Sequence, residues 1–269
     1  MTEGASTLMD MRLLAAQAVA REAGAMARRR FLDRTFTIGF KGPQDFLTEV
    51  DSETEAFIAE RLLEIFPTDG FIGEESKARP AGESGAAWVV DPIDGTANFA
   101  RGVPHFCVSI ACVAASRVEV GVIYDPMRDE LFSARRGGGA RLNGAVMRAS
   151  AANALASSAI DVGWNMRASG DDYVDLLRRV AQTGASPFRS GSGALALAYV
   201  AAGRRDGYVE HHINAWDCLA GISLVTEAGG YVSDFLRGDG LTKGNPLIAC
   251  APGIKGALIA AAAFEDVTI

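Results

Sequence analysis

The spacing of apolar residues changes along this chain, and each change marks a different kind of element. Between residues 7 and 31, Leu8, Met11, Ala15, Ala18, Val19, Ala25 and Met26 recur near a helical period in an alanine-rich background, which predicts an amphipathic helix. Arg28-Arg29-Arg30 would form its solvated last turn, where cations suit the negative end of the helix dipole. Ser52-Glu53-Thr54-Glu55 has capping-box spacing and precedes Ile58, Leu62, Ile65 and Phe66, so a second helix is expected from Ser52 to a stop at Pro67. The intervening stretch around Lys41-Gly42-Pro43 reads as a loop, with Asp45 and Thr48 as capping residues ahead of that helix. The period then falls to two. Phe71-Ile72 and Trp88-Val89-Val90 read as short strands ending in Glu74-Glu75 and Asp91, and Pro92, which has no N–H for a ladder, is expected to end the second. Phe106, Val108, Ile110 and Cys112 alternate, as do Val118, Val120, Val122 and Tyr124. Leu131-Phe132-Ser133 and Arg141-Leu142 continue an antiparallel meander, with turns at 137–139 and Asn143-Gly144.

Near residues 147–157 alanine and serine dominate and alternation lapses. This suggests two halves, 1–150 and 151–269. In the second, strands expected at 158–162, 187–189, 207–210, 231–233 and 247–250 alternate with helices at 171–182, 192–202, 215–227 and 254–263. Such alternation predicts a mixed, partly parallel sheet covered by helices, and an α+β or α/β chain as a whole.

Composition narrows the possibilities. A chain of 269 residues lies at the upper limit for one core, so one large domain or two intimately packed ones are expected. The net charge of −7 argues against a nucleic-acid footprint, which needs a basic face. Cys107, Cys112, Cys218 and Cys250 show no CxxC spacing, as expected of reduced, mostly buried thiols in a cytoplasmic protein. No apolar run has the length of a membrane span, and the amino terminus lacks a signal-peptide pattern.

The candidate chemistry lies where elements end. Asp91-Pro92-Ile93-Asp94-Gly95-Thr96 places two carboxylates in one small loop, where like charges repel unless a cation neutralises them. If the strands before Glu74 and Asp91 are neighbours, those acids meet at one sheet edge. Asp217 falls in the first turn of the helix expected from residue 215, and Glu210 ends a strand just before it. Each acid alone also has a structural reading, as an Asx turn or a helix-start carboxylate. Together they form an all-oxygen donor set, which selects a hard ion such as Mg²⁺. Two or three such ions would polarise a phosphoryl group and activate a water. His105, His211 and His212 lack zinc spacing, and no Walker lysine or GxGxxG accompanies the glycines, which leaves water as the natural nucleophile.

Gly73-Glu74-Glu75-Ser76, Asp91-Pro92-Ile93-Asp94-Gly95-Thr96 and Trp216-Asp217 followed by Ala220-Gly221 resemble the inositol monophosphatase family of Mg²⁺-dependent phosphatases, in order from the first helix to near residue 252. The resemblance implies a five-layer αβαβα sandwich, a homodimer and inhibition by lithium. It implies that Glu74, Asp91, Asp94, Asp217 and the carbonyl of Ile93 bind Mg²⁺, and that Asp45 and Thr96 orient the attacking water. The amides of Gly95 and Thr96 would hold phosphate, and Ser192, Gly193, Ala194 and Glu210 the alcohol. Gly163-Trp164-Asn165 and Ser192-Gly193 depart from the family pattern near the alcohol. The expected substrate is a small polyol phosphate, inositol 1-phosphate first. Histidinol phosphate is next, then fructose 1,6-bisphosphate or phosphoadenosine phosphate, with a non-enzymatic binding module on the same fold as a minor alternative. The 36–46 stretch, with its Gly-Pro pair and Lys41, is a candidate for closing over substrate.

Overall fold

The structure is a computed structural model and describes residues 3–42, 45–76 and 82–264, with the backbone alone for residues 3–6, 41 and 45. Helix α1 (Glu3–Asp33) lies beside α2 (Glu49–Ile65), and a two-stranded antiparallel hairpin, β1 (Ile38–Gly42) and β2 (Asp45–Thr48), joins them. A seven-stranded sheet follows: β3 (Gly70–Gly73), β4 (Ala86–Asp94), β5 (Cys107–Ala114), β6 (Arg117–Asp125), β7 (Glu130–Arg135), β8 (Gly139–Leu142) and β9 (Ala145–Val146), in that spatial order. Only β3 and β4 pair in parallel, and the short helix α3 (Thr96–Arg101) separates β4 from β5.

The rest of the chain builds a five-stranded mixed sheet in the order β11-β10-β12-β14-β13. Its strands are β10 (Ala159–Val162), β11 (Ser186–Phe188), β12 (Gly207–Ile213), β13 (Tyr231–Val232) and β14 (Asn245–Cys250). Between them run α4 (Gly170–Gln182), α5 (Gly193–Ala201), α6 (Ala215–Glu227) and α7 (Gly240–Lys243), and α8 (Lys255–Ala262) follows.

Strand alternation sorts the side chains into layers. Trp88, Val90, Ile110 and Val122 turn to one face of the large sheet and meet Ala16, Ala20, Ile58 and Leu62 of α1 and α2. Val89, Ala111, Ile123 and Phe132 turn to the other face, against Leu195, Leu197, Leu219 and Leu224 of α5 and α6. The same α5–α6 layer packs on Tyr208, Leu247 and Ala249 of the second sheet. That sheet's outer face, with Ile160, Val209 and Ile248, is covered by Leu176, Val180 and Leu258 of α4 and α8. The result is a five-layer αβαβα sandwich whose central helical layer is shared by both sheets. The layers approach closely at glycines: a Cβ on Gly121 of β6 would lie 2.5 Å from the Ala220 carbonyl oxygen of α6.

Several local expectations are corrected. Helix α2 starts one turn earlier than the Ser52 box, because Thr48 and Asp51 form the capping box, while Thr54 and Glu55 are buried inside the helix. The stretch before α2, expected to be a loop, contains the paired strands β1 and β2; residues 43 and 44 lie outside the described residues. Strand β4 does not stop at Pro92. It runs to Asp94 through a bulge, with Asp91 opposite Ser109 and Asp94 opposite Cys107, and the extra residue absorbs the proline that a regular ladder excludes. The polar stretch from Lys77 to Ala86 reads from its composition as a connection between β3 and β4, and its residues 77–81 lie outside the described residues. The four cysteines are all free and buried.

Candidate active site

Parallel pairing of β3 with β4 sets Gly73 beside Val90, so Glu74 and Asp91 emerge at the same sheet edge. Helix α6 brings Asp217 to that edge from the central layer. Asn214 caps the helix, and its backbone N–H and side-chain amide donate to Asp217 Oδ2 at 3.3 and 3.1 Å, which fixes the carboxylate in the first turn. Glu74, Asp91 and Asp217 each offer a carboxylate oxygen within 4.8 Å of one another, the one such acid, His or Cys group among the described residues. Asp91 also makes the Asx turn that its sequence context allows, its Oδ1 accepting the Ile93 amide at 2.9 Å.

Asp94 stands next to this cluster but turns toward α5. Its Oδ2 accepts the Ser192 hydroxyl and the Ala194 amide, the latter at 2.8 Å, so two residues expected to touch the alcohol also hold an acid of the first sheet. Ser192 is also the N-cap of α5, accepting from Leu195 N. Burial, followed by the charges of Glu74, Asp94 and Asp217, raises Asp91 well above the ordinary carboxylate range. Burial likewise raises Asp217, and burial with the Asp217 charge brings Asp94 to about 7. Buried acids this close cannot all ionise without a counter-ion, and their donors are all oxygen, which fits a hard dication.

Of the pair expected to orient the water, Thr96 is described with its partners. The Thr96 hydroxyl lies 3.1 Å from Asp51 Oδ1 and 2.9 Å from the Ile93 carbonyl oxygen. The side chain of Asp45 lies outside the described residues, whereas Asp51 is buried and also accepts Thr48 N at 2.9 Å and Thr48 Oγ at 2.6 Å. The signal for Asp51 was present in the sequence as Thr48-x-x-Asp51, which has the capping-box spacing that was credited to Ser52.

A cavity of about 600 Å³ opens at these groups, lined by Asp91, Asp94, Thr96 and Asp217 together with Glu210 and Asp161. Glu210 accepts from the Tyr208 hydroxyl and from Asn165 Nδ2 at 3.1 Å, and burial raises it to about 8. Gly163 leaves room for that carboxylate, since a Cβ there would come within 2.3 Å of it. Asp161, unmarked in the sequence reading, and Asn165, marked there only within the departing Gly163-Trp164-Asn165 stretch, thus line the cavity beside Glu210. The histidines do not join the acids: His212 Nε2 contacts the Lys243 carbonyl at 2.8 Å and the His211 ring stands 4.8 Å from that of Phe264.

Two sheets packed on a shared helical layer, with an acid cluster where β3, β4 and α6 meet, define the framework of the site. The sequence model of the inositol monophosphatase family matches residues 9–266, and the chain belongs to that family of phosphatases. It is 42% identical to the Nus factor SuhB of Escherichia coli (strain K12) over 222 residues, 82% of this chain and 83% of that protein. It is 40% identical to the inositol-1-monophosphatase of Rhizobium meliloti (strain 1021) over 220 residues, 81% and 83% of the two chains. Among solved structures, the extragenic suppressor protein suhB from Bartonella henselae superimposes with a TM-score of 0.88 at 36% identity, covering 95% of this chain and 100% of that one. The inositol monophosphatase from Anabaena (Nostoc) sp. PCC 7120 gives 0.82 at 32% identity, covering 94% and 95%. No helix among the described residues is long and apolar enough to cross a membrane.

Proposed function

We propose that this phosphatase is a Mg²⁺-dependent phosphomonoesterase acting on a small polyol or sugar phosphate, inositol 1-phosphate first. The observation that carries the reading is the convergence of Glu74, Asp91 and Asp217, with Asp94 beside them, at the floor of a cavity wide enough for a sugar phosphate. These four carboxylates and the Ile93 carbonyl would hold two or three Mg²⁺. Bound there, the ions would polarise the phosphoryl group and lower the pKa of the attacking water. Asp51 and Thr96 then orient that water: Thr96 presents its hydroxyl, and Asp51, already hydrogen-bonded to it, is the carboxylate placed to take the proton. We assign this role to Asp51 rather than Asp45 on the hydrogen bond to Thr96. The Gly95 and Thr96 amides face the phosphate, and the Ser192-Gly193-Ala194 turn and Glu210 face the alcohol.

Glu210 and Asp161 together give the alcohol end an acidic character, which also suits an amine, so histidinol phosphate is the second substrate to compare. Fructose 1,6-bisphosphate and phosphoadenosine phosphate complete the panel. We take the partner to be a small phosphorylated metabolite rather than a nucleic acid, on the net charge of −7. A cytoplasmic homodimer inhibited by lithium belongs to the same reading. The test is phosphate release from the four substrates with Mg²⁺ in excess, ranked by kcat/KM. Release from inositol 1-phosphate or its amine rival upholds the reading, and no release from any small monoester removes it.

A further inference from the structure

We propose that Asn98 is a positioning residue that sets the alcohol-facing turn of the second sheet against the phosphate-facing loop of the first. It rests on the proposed phosphatase reading for its kinetic consequences, but its geometry stands alone. Asn98 lies in α3, immediately after the Asp94-Gly95-Thr96 loop. Its side-chain amide donates to two carbonyl oxygens, His105 at 2.9 Å on its own side and Ser190 at 3.1 Å on the other. Ser190 starts the turn that ends in Ser192-Gly193-Ala194. One NH₂ group thus spends both hydrogens on bridging the two halves where their site loops meet.

The backbones around this bridge are as close as glycine allows. Gly95 and Gly191 both have positive φ, at 99° and 79°. A Cβ on Gly95 would lie 3.0 Å from the His105 carbonyl oxygen and 3.4 Å from that of Gly191, and one on Gly191 would lie 3.1 Å from Asn98 Nδ2. The three residues form one backbone-to-backbone seam, and Asn98 is its polar tie. The turn has other anchors: Asp161 Oδ1 accepts Ser190 N at 3.3 Å, and Asp94 holds Ser192 and Ala194. Those anchors persist without Asn98. Losing its amide therefore frees the lateral placement of residues 190–193 over Gly95 while leaving the acid floor in place. The consequence is selective, because a substrate whose alcohol reaches the turn feels the change and one that engages only through its phosphate does not.

The experiment uses the full-length, Mg²⁺-loaded protein and the variants Asn98→Ala and Asn98→Asp, the second keeping the size but unable to donate. Steady-state kcat and KM are measured on inositol 1-phosphate and on p-nitrophenyl phosphate, whose alcohol has no ring hydroxyls for the turn. Two lost hydrogen bonds of ordinary strength predict a rise in KM of about tenfold for inositol 1-phosphate, with kcat/KM for p-nitrophenyl phosphate kept within about threefold, in both variants. Equal losses on the two substrates, which a merely structural role would give, overturn the proposal. So does an Asn98→Asp variant that behaves as wild type. Hydrogen exchange supplies a readout independent of activity: amides of the 190–195 segment should exchange about tenfold faster in Asn98→Ala, as expected when a local tie of this size is lost. If the wild type hydrolyses neither substrate, the phosphatase reading fails and exchange alone decides, faster exchange upholding the positioning role and unchanged exchange overturning it.

Discussion

Replacing Asp51 with asparagine separates two roles that the same contacts allow. Asp51 is 1% exposed and closes the α2 capping box through Thr48 N and Thr48 Oγ on one oxygen, while its other oxygen receives Thr96. An asparagine can keep its amide oxygen on the two Thr48 donors. Its NH₂ then faces Thr96, whose hydroxyl still has the Ile93 carbonyl at 2.9 Å as an acceptor. The fold therefore loses about one hydrogen bond, near 1 kcal/mol, and a melting temperature shift of about 2–4 °C follows for a chain of this size. If Asp51 only caps a helix, that is the whole effect. If it takes the proton from the attacking water, the variant loses the only proton acceptor of the pair, and kcat falls by about 10²–10⁴-fold. That range corresponds to about 2.7–5.4 kcal/mol on the barrier, several times the stability change, so the two roles cannot be confused. The assay is phosphate release at saturating Mg²⁺ with kcat and KM resolved, run beside Asp45→Asn. A kcat within threefold of wild type for Asp51→Asn would show that Asp51 only caps the helix, the more so if Asp45→Asn were the variant that collapsed.

Further outcomes follow from burial and charge. In the metal-free protein, Asp94 near 7 and Glu210 near 8 keep the folded state more protonated than the unfolded chain, so stability should fall from about pH 5 to about pH 8. Chemical denaturation at several pH values tests this, and a rise over that window would contradict the electrostatics. Under the proposed ligation Mg²⁺ must displace the Asp94 proton, so its apparent affinity should climb from about pH 6 to about pH 8, with proton release seen by calorimetry in buffers of different ionisation enthalpy. Gly121→Ala forces a methyl group to 2.5 Å from backbone of α6, and should destabilise by about 1–3 kcal/mol or more in urea titrations. Arg12 and Asp69 form a buried pair at 2.6 Å, 3% and 1% exposed, so Asp69→Asn strands a buried guanidinium and should cost about 3–5 kcal/mol by the same measurement.

How much of this was legible beforehand depended on whether a residue's role is local. The helix expected at 7–31 lies within Glu3–Asp33, because an apolar stripe in an alanine background is decided by neighbours three and four positions away. The strands at Val108 and Val120 were readable for the same reason: alternation records a buried face directly. The β1–β2 hairpin was not, since Ile38 and Phe40 are exposed and leave no inward pattern. The continuation of β4 past Pro92 depends on a bulge, which is a property of the partner strand as much as of the proline. Among the site residues, acids at strand and helix ends stood out by position. Asp51 was hidden because Thr48-x-x-Asp51 and Ser52-x-x-Glu55 fit the same capping rule, and only the approach of Thr96 distinguishes them. Asn98 and Asn165 carry no charge and no motif of their own; what they do appears when Ser190 and Glu210 arrive from distant parts of the chain.

The most direct test of the whole account is the isotope content of the phosphate that the protein releases from inositol 1-phosphate in H₂¹⁸O, with Mg²⁺ and with chelator. The account predicts one solvent oxygen in every phosphate formed in a single turnover, and turnover only when Mg²⁺ is present. Release that persists in chelator, or phosphate free of solvent oxygen, would contradict it.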